Sequence, residues 1–296
     1  MDSKQLYGIV PALITPLNED LSLDIDSLAK LIEYQIDAGV HGIFVAGMTG
    51  EGAALGTAQL KELIRYSARF IAGRVPLCAG VLEAGTRRTL ETALAIADAG
   101  ADILSTTVPY APPAPTQSDI AEHFAFLCRH IDLPWMVYGN SGSLTNIAPD
   151  TFHTLACLEG VCAIKDTRPD FEGHMKNIIA VRTTKATLLT GGEYLVGPGL
   201  LWGSDGNISG ATNLFPKLFC DLYAAAKTGN VACVQEMSEK VAVLHSMTSC
   251  LGVCWLSIFK YAGSRMGLMK PYCLLPSQPL DTAHMRIVDQ TLEQFM

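Results

Sequence analysis

Residues 160–167 read GVCAIKDT. After Gly160, the run Val161-Cys162-Ala163-Ile164 shows none of the alternation of a strand with one wet face. Burial on both faces, as in a parallel sheet, is the expected reading. The run then ends abruptly in Lys165 and Asp166. Similar short apolar runs recur at 7–14 (YGIVPALI), 42–47 (GIFVAG), 75–81 (VPLCAGV), 102–108 (DILSTTV), 133–139 (LPWMVYG), 186–191 (ATLLTG) and 206–211 (GNISGA). Between them lie stretches with helical spacing. The first, 24–39, puts Leu28, Leu31, Ile32 and Ile36 on one face, with Asp24 and Asp26 at its start and Gly39 closing it. Eight such runs alternating with helices over about 210 residues predict an α/β protein whose sheet closes into a (β/α)8 TIM barrel. No G-x-G-x-x-G follows any run, which removes the main sign of a dinucleotide-binding fold. From about Leu214 the chain reads as nearly all helical, as an eighth barrel helix and then a C-terminal helical appendage. The expected division is a catalytic barrel over residues 1–228 and a helical domain over 229–296.

Composition agrees with that architecture. Hydrophobic residues make up 49% of the 296 and charged residues 17%, and mean hydropathy is +0.26; strands buried on both faces account for the excess. No apolar run reaches the roughly 18 residues that would span a bilayer. The N-terminal residues carry no basic stretch followed by an apolar core, so no signal peptide is expected. Nine cysteines, an odd number scattered through strands and helices, suggest reduced thiols and a cytoplasmic protein. Net charge is −8, and Lys and Arg are dispersed apart from Arg87-Arg88, so neither nucleic acid nor a membrane is an expected partner. Asp, Glu, His and Cys show no metal pattern, and Cys250-x3-Cys254 reads as one helix face. No metal or cofactor is expected.

In a barrel of this kind, catalytic groups sit at the carboxyl ends of the strands. Those ends offer Gly47-Met48-Thr49-Gly50-Glu51, Pro109-Tyr110, Tyr138, Lys165-Asp166, Gly191-Gly192-Glu193 and Ser209-Gly210. Tyr138 and Lys165 are 27 positions apart, about one strand–helix unit, and so are expected side by side. A lysine flanked by apolar wall is desolvated, which disfavours the ammonium form. A neutral amine attacks a ketone to form a Schiff base, and a neighbouring tyrosine can carry protons to the departing hydroxyl. Equally, Lys165 could simply end its strand and pair with Asp166 in water, and Tyr138 could be a rim packing residue. The glycine-rich GMTGEG turn could cradle a carboxylate on its backbone amides, or be no more than a tight turn before a helix.

The ordered set G-M-T-G-E, then VYGN, then AIKDT, then LWGSDGNISGATNLFP resembles the class I pyruvate aldolases that include dihydrodipicolinate synthase and N-acetylneuraminate lyase. The likeness runs nearly end to end. It implies a (β/α)8 barrel with a C-terminal helical domain, usually a homotetramer, acting on a small 2-oxo acid such as pyruvate and an aldehyde. It implies Lys165 as the Schiff-base lysine and Tyr138 as the proton shuttle. Thr49, with the amides of Met48 and Thr49, would hold the pyruvate carboxylate, and the Ile208 carbonyl, with Gly191, would lie against the bound keto acid. Glu193 stands where the lyases bind a polyol tail. The departures carry information. Met48 replaces a Thr or Ser of a hydroxyl relay, Ala111 replaces the second tyrosine of the synthases, and Ser143 replaces their carboxylate-binding arginine. These argue against a dihydrodipicolinate synthase and for a 2-keto-3-deoxy sugar acid aldolase, which splits a 2-oxo acid to pyruvate and an aldehyde. Two alternatives stay open: a dehydratase or hydratase-aldolase acting on a less polar 2-oxo acid, and a non-catalytic 2-oxo acid binding protein.

Overall fold

The computed structural model describes residues 6–111, 113–139, 144–249 and 251–295. Each of the eight apolar runs contains a strand: β1 (Gly8–Pro11), β2 (Ile43–Val45), β3 (Leu77–Gly80), β4 (Ile103–Thr107), β5 (Trp135–Gly139), β6 (Val161–Asp166), β7 (Thr187–Thr190) and β8 (Gly206–Ser209). Every residue in them is buried, which is why they read as apolar runs without alternation. All seven ladders are parallel, in the order β1-β8-β7-β6-β5-β4-β3-β2. A parallel bridge between Ala12 and Phe44 joins the two ends of this sheet, with the Leu13 N–H donating to the Phe44 carbonyl at 2.7 Å. The result is the (β/α)8 barrel expected from the strand count.

Helices α1 (Ile25–Asp37), α2 (Thr57–Ile71), α3 (Thr86–Ile96), α4 (Gln117–His130), α5 (Pro149–Ala156), α6 (Phe171–Val181), α7 (Val196–Trp202) and α8 (Pro216–Lys227) follow the strands in turn. In α1, the Asp24 carboxylate caps the start by accepting from the Ser27 N–H at 3.1 Å. Leu28, Leu31 and Ile32 are buried on one face, each worth roughly 1.5–3 kcal/mol on burial, and Gly39 at φ +87° ends the turn. A 3₁₀ turn (Glu193–Leu195) precedes α7. Pro198 has no N–H to give to the Tyr194 carbonyl, so regular α-helix starts only at Val196.

Three further helices extend the barrel at its C-terminal side: α9 (Val231–Ser249), α10 (Trp255–Arg265) and α11 (Thr282–Leu292). The nearly all-helical expectation fails over 266–281, where Pro271, Pro276 and Pro279 interrupt the chain. Val241 and Leu244 of α9 and Ile258 and Phe259 of α10 share one apolar cluster with Leu13, Ile14 and Leu28 of the barrel side. A separate cluster fills the barrel itself, from Val10, Phe44 and Cys78 round to Met136, Leu189 and Ile208. Asn213, buried after β8, accepts from the Ile14 N–H at 3.0 Å and donates to the carbonyls of Ala12 and Gly210. That side chain ties the end of β1 to the loop where the candidate site lies. Among the described residues no helix is long and apolar enough to cross a membrane. Cys250 lies outside them, and the Cys254 thiol sits 3.3 Å from the Ser277 hydroxyl.

Candidate active site

Strand register brings the first two candidates together: Tyr138 of β5 pairs with Lys165 of β6. Lys165 is only 4% exposed, as is Tyr138. Its Nζ stands 4.0 Å from the centre of the Tyr138 ring and 5.5 Å from that of Phe44. Among the described residues it makes no ion pair.

The simpler reading, Lys165 paired with Asp166 in water, does not survive. Asp166 is the last residue of β6 and its carboxylate is fully buried. Its Oδ2 accepts from His174 Nδ1 at 2.8 Å and from Asn177 Nδ2 at 2.9 Å, both on α6. His174 Nε2 lies 2.9 Å from the Thr190 hydroxyl of β7, which lies 3.0 Å from that of Ser204. Successive strand residues point to opposite faces, so β6 sends Lys165 inward and Asp166 out into a polar network with α6. That network fixes the strand end from which the amine projects.

All seven candidate residues line one cavity of about 600 Å³ at the carboxyl ends of the strands: Met48, Thr49, Tyr138, Lys165, Gly191, Glu193 and Ile208. The turn after β2 lies on one side. Neither the Met48 nor the Thr49 N–H has a hydrogen-bond partner among the described residues. Glu51, at φ +57°, turns its carboxylate away from this cavity to meet Lys260 of α10 at 2.8 Å. Gly191 is needed for space: a Cβ there would come within 2.1 Å of the Thr167 hydroxyl oxygen. The Gly191 N–H donates to the Asp166 carbonyl at 2.7 Å, which keeps β7 against β6 at this level.

Glu193 is not a charge facing water. Its Oε1 accepts from the N–H groups of Gly210 and Ala211 at 3.2 and 3.3 Å, and its Oε2 lies 3.6 Å from His245 Nδ1. Burial pushes this carboxyl up, but His245 and the backbone donors outweigh burial and hold it below its usual value. One side of the carboxylate is thus already engaged with the loop after β8.

Several lining residues escaped the sequence reading. Thr167, two positions beyond Lys165, has a buried hydroxyl without a hydrogen-bond partner; its place just past a strand end could have marked it. His245 and Thr248 of α9 and Trp255 and Phe259 of α10 close the cavity from the C-terminal helices, and no strand-end rule reaches them. Of the relay departures, Met48 is 41% exposed and lines the cavity. Ala111 donates its N–H to the Ala84 carbonyl at 3.0 Å. Ser143 lies outside the described residues. A second, more apolar cavity of about 690 Å³ adjoins the first, sharing Met48 and Trp255 and running to Leu82, Tyr110 and Leu275.

A closed parallel barrel with a cavity at the carboxyl ends of its strands defines a (β/α)8 enzyme. The chain belongs to the dihydrodipicolinate synthetase family, which it matches over residues 5–295. It is 31% identical over 289 residues to the 4-hydroxy-tetrahydrodipicolinate synthase of Xanthomonas campestris pv. campestris, covering 96% of this chain and 93% of that one. It is 30% identical over 290 residues to the enzyme of that name from Pseudomonas syringae pv. syringae, covering 98% of each. Among solved structures it resembles YagE, a prophage protein of E. coli K12 in complex with pyruvate, with a TM-score of 0.91, 27% identity and 98% of each chain covered. The dihydrodipicolinate synthase of Bacteroides thetaiotaomicron aligns with a TM-score of 0.91 and 29% identity, again over 98% of each chain. With its family, the chain is a class I, pyruvate-dependent carbon–carbon lyase.

Proposed function

We propose that the chain cleaves, and reversibly forms, a 2-oxo acid of the 2-keto-3-deoxy sugar acid type, giving pyruvate and an aldehyde, with Lys165 as the nucleophile. The observation that carries this is the Lys165 amine, buried inside the barrel over the Tyr138 ring and free of carboxylate partners among the described residues. In the forward direction the amine adds to the keto carbon, and Tyr138 passes a proton to the carbinolamine hydroxyl, which leaves as water. The iminium then draws the electron pair of the C3–C4 bond as the aldehyde departs. Water releases pyruvate from the resulting enamine once C3 is protonated. Thr49 and the N–H groups of Met48 and Thr49 hold the carboxylate, while the Ile208 carbonyl and Gly191 border the keto acid.

The curated relatives at 30–31% identity are synthases, whereas Met48 and Ala111 stand where the resemblance expects relay hydroxyls. Those two side chains favour an aldolase over a synthase. A second reading, a hydratase-aldolase taking a less polar 2-oxo acid, is favoured by the apolar cavity beyond Met48 and Trp255. Non-catalytic 2-oxo acid binding is the third. The same proposal takes residues 1–228 as the catalytic barrel, and the chain as a cytoplasmic homotetramer.

Borohydride reduction in the presence of pyruvate, followed by peptide mass spectrometry, tests the chemistry. A reduced pyruvate adduct on Lys165, absent from Lys165→Ala, is the expected result. Folded protein that gives no adduct would end the Schiff-base reading. Product analysis then separates the three functions: pyruvate plus aldehyde, a dehydrated or hydrated skeleton, or no turnover.

A further inference from the structure

With methionine at position 48 and alanine at 111, the hydroxyls that the resemblance expects in a relay are absent, yet carbon–carbon cleavage must still remove a proton from the alcohol that becomes the aldehyde. The cavity wall opposite the strand ends supplies a group that can do so. His245 lies toward the C-terminal end of α9 and lines the same cavity as Lys165. Its Nδ1 is buried without a hydrogen-bond partner and faces Glu193 Oε2 at 3.6 Å, an electrostatic contact longer than a hydrogen bond. The ring rests against Tyr194, centroids 4.8 Å apart. Glu193 is in turn anchored by the Gly210 and Ala211 N–H groups.

Resting on the Schiff-base reading, we propose that His245, oriented by Glu193, is the acid–base residue for the aldehyde half of the reaction. In cleavage, an imidazole nitrogen takes the proton of the C4 hydroxyl. The oxygen's electron pair forms the aldehyde C=O, the C3–C4 bond breaks, and its electrons neutralise the iminium as enamine. In condensation the same proton returns to the aldehyde oxygen as the C3–C4 bond forms. No other co-reactant is needed. A base held by a carboxylate that is itself held in place is the arrangement that orients an imidazole for proton transfer. Such contacts are often long before substrate binds and tighten in the complex. Against burial, His245 and the backbone donors hold the Glu193 carboxyl below its usual value, which suits it to stabilise the imidazolium formed in cleavage.

The test separates the two halves. Exchange of the pyruvate methyl protons in D2O needs only the lysine and its proton shuttle, whereas condensation also needs the aldehyde. Glyceraldehyde, benzaldehyde and succinic semialdehyde are offered to the wild-type enzyme, and the fastest is used. His245→Ala and His245→Gln are expected to keep pyruvate exchange and the borohydride adduct while losing about 10²–10⁴-fold in condensation kcat, the usual yield of general acid–base catalysis. Glu193→Gln should fall between them and wild type in condensation. Condensation at the wild-type rate in His245→Ala, full recovery by His245→Gln, or equal loss of exchange and condensation would each overturn the assignment. So would a wild-type enzyme that exchanges pyruvate but condenses with none of the three aldehydes. Absence of exchange and adduct in the wild type would instead bring down the Schiff-base reading, and this inference with it.

Discussion

The Tyr138 ring lies 4.0 Å from the Lys165 amine and edge-on to Phe44, with ring centres 6.2 Å apart. Packing and the proposed proton transfer therefore use different parts of one side chain: the ring fills the barrel, and the hydroxyl is the proposed shuttle. Tyr138→Phe keeps the ring, so the thermal midpoint should hold while pyruvate exchange falls by about 10²–10⁴. A variant that unfolds early, or exchanges normally, would show that the hydroxyl is not the shuttle. The positions of both residues were legible in the sequence because they lie near the carboxyl ends of strands, which in a closed barrel face one site. Asp166 was half legible: its position was plain, but its partners His174 and Asn177 could be seen only once α6 lay over β6.

Between elements, a buried polar tie joins Glu51 and Lys260. Lys260 has no exposed surface; its amine donates to the carbonyls of Thr15 and Tyr272 at 2.7 Å each and forms an ion pair with Glu51 at 2.8 Å. Glu51 also accepts from the Leu274 N–H at 2.6 Å. One buried ion pair thus fastens the turn after β2 to α10 and to the proline-broken segment 266–281. Removing a single partner strands the other charge in the interior, so Lys260→Met should cost about 3–5 kcal/mol, read as a lower urea midpoint. Adding Glu51→Gln to Lys260→Met should recover part of that loss, since no unpaired charge then remains. None of this was visible in GMTGEG alone, where Glu51 read as part of an anion-binding turn; its partner lies 209 positions away. His245 was hidden for a similar reason. Nothing in VACVQEMSEKVAVLHSM distinguishes a histidine over the cavity from one on any helix face.

Across the whole molecule, His123 sets a lower pH limit. On α4 it is 3% exposed, with Nδ1 2.8 Å from the Thr86 hydroxyl of α3 and Nε2 buried without a partner among the described residues. Burial pushes it from an ordinary 6.5 to about 4. Above pH 6.5 the imidazole is neutral both folded and unfolded, and costs nothing. Below that the unfolded chain binds a proton that the folded one refuses, so stability drains away down to about pH 4, by roughly 3 kcal/mol in all. Urea midpoints measured from pH 7 to 4 should fall accordingly, and His123→Leu should flatten that slope. A slope unchanged in the variant would place the acid sensitivity elsewhere. The barrel itself was legible because strands covered on both faces must be apolar throughout. The interruption at 266–281 was not, because apolar residues such as Leu268, Leu274 and Leu280 there mimic a continuing helix between its prolines.

The first strand is hydrogen-bonded along its length to the last, Gly8 beside Gly206 and Pro11 beside Ser209. A ribosome adds residues at about 5–20 per second, so roughly 10–40 s separate the emergence of β1 from that of the partner it needs. Throughout that interval the nascent chain carries an apolar strand edge with nothing to pair it. The order of synthesis alone therefore sets how long that edge must be kept from pairing elsewhere.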